Sequence, residues 1–306
     1  MGTETETQAQ TARTSTRLTD LVDFFRRRPR LKKLAIAGPP YGVLVGFFLL
    51  PLLAMLVISF QEGQINGPWT LTNYTDFLGS STYLTVVWRT FVVTVQVTVL
   101  VTVVGYTLAY SIVRFSRRTT LLLLLVILPF WTSYIIRMYA WINILQSGGV
   151  LDSTLQLFGL PAAGLLYTQP AVMIGFTYVW LPLAVLPFYA SLTNMDADLI
   201  EAAKDLGAGP IKTFLTVTLP MTANGVVTGV ILVFIPTFGS FITPRLLGGT
   251  NNIMIGMVIE NQFKSAFNWP FGAAIGIVIS VVVVLLLVAG ARAGGDLFGT
   301  GEGERS

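Results

Sequence analysis

The chain has 306 residues, 53% of them hydrophobic and only 11% charged, with a formal net charge of +4. Soluble domains carry about a quarter charged residues, so this composition excludes an ordinary water-soluble fold and makes the bilayer the solvent for most of the chain. With no cysteine and no histidine, disulfides, thiol chemistry, most zinc sites and histidine acid/base catalysis drop out, and an enzyme would have to run on Asp, Glu, Ser, Lys or Tyr.

Residues 1–16 are rich in Thr, Gln, Glu and Ala without apolar periodicity, which predicts disorder. Leu18, Leu21, Val22 and Phe25 then recur at helical spacing, followed by Arg26, Arg27, Arg28, Arg30, Lys32 and Lys33. This pattern predicts an interfacial helix on the anionic cytoplasmic leaflet. A cleaved signal peptide is the competing reading, but the charged leader is long and no small-x-small site follows the apolar run. The expected domains are therefore a cytoplasmic leader at 1–33, a six-helix membrane domain at 34–294 and a cytoplasmic tail at 295–306.

Six stretches are long enough to cross about 30 Å of hydrocarbon, at 38–60, 84–113, 119–145, 167–192, 221–245 and 271–292. Pro129, Pro182, Pro187 and Pro236 fall inside them and are expected to kink helices rather than end them. The fold class is thus all-α, a polytopic membrane protein with six transmembrane helices. The connecting loops at 61–83, 146–166 and 246–270 carry Gly, Asn and Trp, with Pro68-Trp69 and Trp269-Pro270-Phe271 among them. An interfacial aromatic belt and a docking surface for an outer partner explain these residues equally well.

Basic residues fix the orientation. With the N-terminus inside, the cytoplasmic segments hold 15 of the 19 Lys and Arg: eight before the first span, Arg114, Arg117, Arg118, Lys204, Lys212, Arg292 and Arg305. The positive-inside rule therefore places both termini and the 193–220 loop in the cytoplasm.

That loop is the polar island of the second half. Asp198 and Glu201 stand at capping-box spacing, Gly207 suits a helix stop and Pro210 suits the first turn of a second helix before re-entry at Leu219-Pro220. Glu201-Ala202-Ala203, three residues, Gly207, nine residues, Val217, one residue, then Leu219-Pro220 resembles the EAA loop of membrane subunits of binding-protein-dependent ABC importers, with Val217 where isoleucine is more usual. The resemblance implies the type I importer permease fold, in which this loop is the coupling helix docked on a separate ATPase. Asp198, Glu201, Ala202, Ala203, Asp205, Gly207, Leu219 and Pro220 are then the ATPase-coupling residues. It also implies an ATPase subunit dimer that binds the ATP and Mg, with no cofactor, catalytic residue or metal in this chain. A second permease subunit, expected to be a distinct homologue, an extracytoplasmic substrate-binding protein and the lipid bilayer complete the partners, with no nucleic acid. The setting is the cytoplasmic (inner) membrane of a prokaryote.

Arg137-Met-Tyr-Ala-Trp-Ile-Asn-Ile-Leu-Gln-Ser-Gly-Gly-Val-Leu-Asp152 and Ile235-Pro-Thr-Phe-Gly-Ser-Phe-Ile-Thr-Pro-Arg-Leu-Leu-Gly-Gly249, with Asn268-Trp-Pro-Phe-Gly-Ala-Ala274 beyond them, are similar to the spermidine/putrescine branch of these permeases. Its close relatives carry thiamine, iron, phosphonates or opines. A polyamine is a flexible polycation suited to carboxylates and aromatic faces. Trp131, Tyr134, Tyr139, Trp141, Tyr178 and Trp180 supply faces, but Glu62, Asp76, Asp152 and Glu260 are the only outer carboxylates and none is clearly within the membrane. High-affinity recognition is expected in the binding protein, with a weak passage here. Some relatives carry an acid after Thr-Pro where this chain has Arg245, which argues against a direct cation site there. Trp131, Tyr134, Arg137, Tyr139, Tyr178, Phe238 and Glu260 are the pathway or gate candidates. Arg137, toward the outer end of its span, is expected to snorkel to the headgroups; pairing with Glu260 or Asp152 is the functional alternative.

The chain has no Gly-x-x-x-x-Gly-Lys-Ser/Thr phosphate loop, so it must borrow its work from the ATPase through residues 198–217. An ion-driven secondary transporter is the rival. It needs ionisable groups at mid-membrane or inverted repeats, and no Asp, Glu or Lys stands at the centre of a predicted span.

Overall fold

The structure, a computed structural model, describes residue 38 and residues 40–298. The expected leader and most of the expected tail lie outside these residues. The chain divides into two compact units, the first ending at Val57 and the second beginning at Ile58. The first span is a helix over Pro40–Ser59 with a π-helical turn at Val45–Leu49.

In the second unit, the second span is one helix over Ser81–Phe115 and the fourth is one helix over Gln169–Thr193. The second span is dense in Val and Thr, residues that favour strands in water. In hydrocarbon the backbone must satisfy its own polar groups, so the stretch is helical, and Thr85, Thr90 and Thr107 return their hydroxyls to the carbonyls of Ser81, Val86 and Val103. Pro182 and Pro187 are contained in the fourth span without a break. The last helix covers Trp269–Phe298.

Two predicted spans are corrected. Residues 119–145 do not form one helix: Thr119–Trp131 and Tyr134–Leu157 meet at 95°. Pro129 tightens Leu128–Trp131 into a 3-10 turn, and both the N–H and the hydroxyl of Thr132 donate to the Pro129 carbonyl (3.2 and 2.7 Å), closing the helix before extended Thr132 and Ser133. Pro129 therefore ends a helix rather than kinking one. Residues 221–245 are also divided. The helix Ala223–Phe238 stops at Gly239, and a separate short helix covers Ile242–Leu247. Among the described residues four helices are long and apolar enough to cross a membrane singly, and the number is six if each of two bent pairs, the third span and Pro210–Met221 with Ala223–Phe238, counts as one span.

The core forms where the second, fourth and fifth spans pack on one another. Val97, Val101, Ala109, Phe176, Val185, Phe188 and Val233 are fully buried there. Lipid tails are as apolar as these side chains, so close fit rather than water exclusion holds the helices together. Gly229 shows the fit: a Cβ there would lie 2.2 Å from the Phe188 ring. A second cluster, Phe77, Phe238, Ile255, Phe271 and Ile275, joins the last helix to the short helices Thr72–Gly79 and Ile255–Lys264. The predicted outer loops are therefore helical in part rather than plain connectors.

Candidate coupling site

The polar island folds as a helix, a glycine turn and a second helix. The first helix covers Ala197–Asp205, and its N-cap is Asp196, whose carboxylate accepts the Asp198 N–H at 3.0 Å. The capping role given to Asp198 is thus corrected: Asp198 lies in the first turn, where its charge still complements the helix dipole. Gly207 ends the helix at φ +78°, a conformation a Cβ disfavours. The Gly207 N–H reaches the Lys204 carbonyl (2.8 Å) and the Ala208 N–H reaches the Ala203 carbonyl (3.0 Å). This paired closure fixes the exit angle of the chain. Pro210 opens the second helix, which runs Pro210–Met221 with a π-helical stretch at Phe214–Thr218 and bends by 69° into the fifth span at Thr222.

The elbow has two faces. Inward, Ala203, Thr213 and Thr218 are buried. The two alanines do not share one face: Ala203 packs on its own chain and Ala202 is exposed. Phe214 meets the rings of Tyr106 (5.9 Å) and Tyr110 (5.7 Å) of the second span edge to face. The Tyr106 and Thr222 hydroxyls share a 2.7 Å hydrogen bond, and the Ser191 hydroxyl donates to the Thr222 carbonyl (3.3 Å). These contacts join the elbow and its bend to the second and fourth spans.

Outward, Asp198, Glu201 and Asp205 are exposed, and among the described residues none of them forms an ion pair. Beside them Leu206 is 89% and Ile211 76% exposed. The motif reading missed these two apolar side chains. Their signal was present in the sequence, since each flanks the glycine turn, but which way they face depends on the turn geometry. Val217, Leu219 and Pro220 belong to the second helix or its end; Val217 and Leu219 are half-buried and Pro220 is exposed.

The pathway candidates do not form a single site. Phe238 is fully buried against Phe234 (5.8 Å between rings) in the second apolar cluster. Tyr178 meets Trp141 edge to face at 5.5 Å, while Trp131 and Tyr139 are exposed. Glu260 pairs with Arg245 (2.6 Å) and Lys264 (3.1 Å). Asp152 accepts the N–H groups of Gly148 (3.0 Å) and Ala163 (2.8 Å), which pins the loop after the third span. Neither carboxylate reaches Arg137. Snorkelling is corrected too, since Arg137 is only 8% exposed, with its guanidinium carbon 5.9 Å from the Phe130 ring and 5.7 Å from the Tyr134 ring. Arg137 lies just after the break, in the first turns of Tyr134–Leu145, and long helical side chains point back toward the N-terminus, so the charge folds over the helix start instead of rising to the headgroups. Tyr134 also shares a hydrogen bond with the Thr243 hydroxyl.

A helical membrane bundle with a capped polar elbow wedged against two of its spans is the architecture of a transporter's membrane subunit. Residues 41–293 match the family described as binding-protein-dependent transport system inner membrane component, and the chain belongs to that family. It is similar to the spermidine/putrescine transport system permease protein PotB of Haemophilus influenzae, with 37% identity over 260 residues covering 83% of this chain and 91% of that one. Its counterpart in Escherichia coli is 36% identical over 259 residues, covering 82% and 94%. The fold is also that of a chain in the crystal structure of a bacterial alginate ABC transporter in complex with alginate pentasaccharide-bound periplasmic protein, at TM-score 0.75 and 15% identity, covering 90% of this chain and 97% of that one.

Proposed function

We propose that this permease subunit of an ABC importer passes a small cationic solute, spermidine or putrescine, across the cytoplasmic membrane, while a separate ATPase dimer binds ATP and Mg and supplies the work. The chain itself catalyses nothing. The residues 193–220 face the cytoplasm, and Asp198, Glu201, Ala202, Asp205, Leu206 and Ile211 meet the ATPase. A second permease chain, most simply a distinct homologue, completes the passage, and an extracytoplasmic binding protein delivers the solute. Closure of the ATPase dimer draws two such elbows together, and the Phe214–Tyr106–Thr222 contacts tilt the second, fourth and fifth spans toward an outward-open state; hydrolysis reverses the movement. The leader at 1–33 holds the chain to the anionic inner leaflet.

The observation that carries this reading is the elbow itself, whose inner face is tied to the second and fourth spans while its outer face leaves carboxylates without an ion pair and apolar side chains bare among the described residues. Similarity to the two PotB proteins supports the polyamine class. Glu201→Lys, on the exposed face, leaves insertion and folding intact but weakens ATPase association and uptake by about a hundredfold, the scale of reversing one charge at a docked site. Co-purification of the ATPase with the membrane-inserted variant, together with labelled spermidine uptake, reads the effect. Wild-type uptake by this variant refutes the coupling role.

A further inference from the structure

The break in the third span assembles groups that the transport cycle above does not use. After Trp131 the chain turns through 95° and a new helix starts at Tyr134. Its first N–H groups have no carbonyl ahead of them in the helix, and the Ser133 side chain does not cap them. Arg137 folds back over this start, beside Phe130 and Tyr134. Its Nε and Nη1 are buried with no hydrogen-bond partner among the described residues, as is the indole Nε1 of Trp180, whose ring lies 6.4 Å from Tyr134. The buried side-chain groups left open at this point are all donors, and a helix N-terminus adds positive potential of the same sign. The chemistry asks for an acceptor carrying negative charge. A polyamine, which offers only ammonium donors, cannot supply it.

Depth narrows the source. The arm before the break is a nine-residue α-helix followed by a four-residue 3-10 turn. With the orientation proposed above, it rises about 20 Å from Arg117 and Arg118 into a core about 30 Å thick. Lipid phosphates stay outside that core. The side chains Ile135 and Ile136 next to the site are exposed, and a lipid tail against them would give nothing to a guanidinium. A carboxylate on a neighbouring membrane helix meets both conditions.

We propose that the start of the helix Tyr134–Leu145, with the Arg137 guanidinium folded over it, receives a carboxylate carried by a membrane helix of the companion permease chain. This buried ion pair joins the two permeases near the outer side of the bundle, and it rests on the pairing of permeases stated under Proposed function. A photoreactive diazirine amino acid at Ile136, in the assembled transporter in its native membrane, tests it. The expected crosslink falls on a companion peptide with an Asp or Glu inside an apolar stretch. Arg137→Glu then lowers uptake by about thirtyfold or more, replacing the identified acid by arginine restores it, and Arg137→Lys retains the pair. Crosslinks only to lipid, to the binding protein or within this chain overturn the proposal. So does a companion that stays bound to Arg137→Met while the KM for uptake alone rises, which assigns the acceptor to the solute. If no second permease purifies with the wild-type chain, the pairing itself fails, a result distinct from a companion that is present but crosslinked elsewhere.

Discussion

The elbow at 196–221 and the segment at 239–268 are both short-helix interruptions between spans, yet they treat their charges in opposite ways. In the segment at 239–268, Glu260 is buried and holds both Arg245 and Lys264, and Lys264 also lies 5.8 Å from the Phe241 ring. In the elbow, Asp198, Glu201 and Asp205 form no ion pair among the described residues, and Leu206 and Ile211 stand bare beside them. Charges matched within the chain tie neighbouring segments together, whereas the open charges beside exposed apolar side chains form the face proposed above for the ATPase. Each substitution therefore has a readout that the other region does not share.

The largest effect is expected from Leu206→Asp combined with Ile211→Asp. Covering the two side chains on an ATPase contributes about 3 kcal/mol at roughly 1.5 kcal/mol each. The double variant should lose ATPase association in pull-downs by more than a hundredfold while its thermal midpoint in detergent holds, and a fall in that midpoint would return both residues to the fold. Glu260→Gln should do the reverse. It leaves two cations around a neutral amide and lowers stability by about 1–2 kcal/mol, the smaller end for a buried pair because Arg245 and Lys264 reach solvent. Binding of the ATPase should be unchanged; a lost ATPase without a lowered midpoint would erase the contrast between the regions. Asp196→Ala gives the smallest change, removing the N-cap of the elbow helix for about 1 kcal/mol. Hydrogen exchange over 197–205 should quicken with exchange over 81–115 unaffected, and equal quickening in both would show that the elbow melts only with the bundle.

Much of this was readable from residue order. The glycine stop at Gly207 and the proline start at Pro210 depend on one residue each, and both stand in the structure as local chemistry requires. The helix start was misplaced because Asp196 and Asp198 are the same residue type two positions apart, and only the path of the chain leaving the fourth span selects between them. Composition shows that a stretch prefers lipid but not that it stays straight, which is why 119–145 read as one span. Proline is carried without a break at Pro182 and Pro187 and coincides with a helix end at Pro129, where Thr132 offers two donors to the freed carbonyl.

By itself the sequence determined the solvent, the helical class, the apolar stretches from which the candidate spans are drawn and the place of the elbow, since hydropathy, charge and cap chemistry act over a few neighbouring residues. Tertiary structure alone decided which alanine of the pair turns inward, that Leu206 and Ile211 face out, and that Arg137 is shut away from both outer carboxylates. Burial and pairing depend on residues distant along the chain that the fold brings within a few ångströms, and no local pattern encodes that distance.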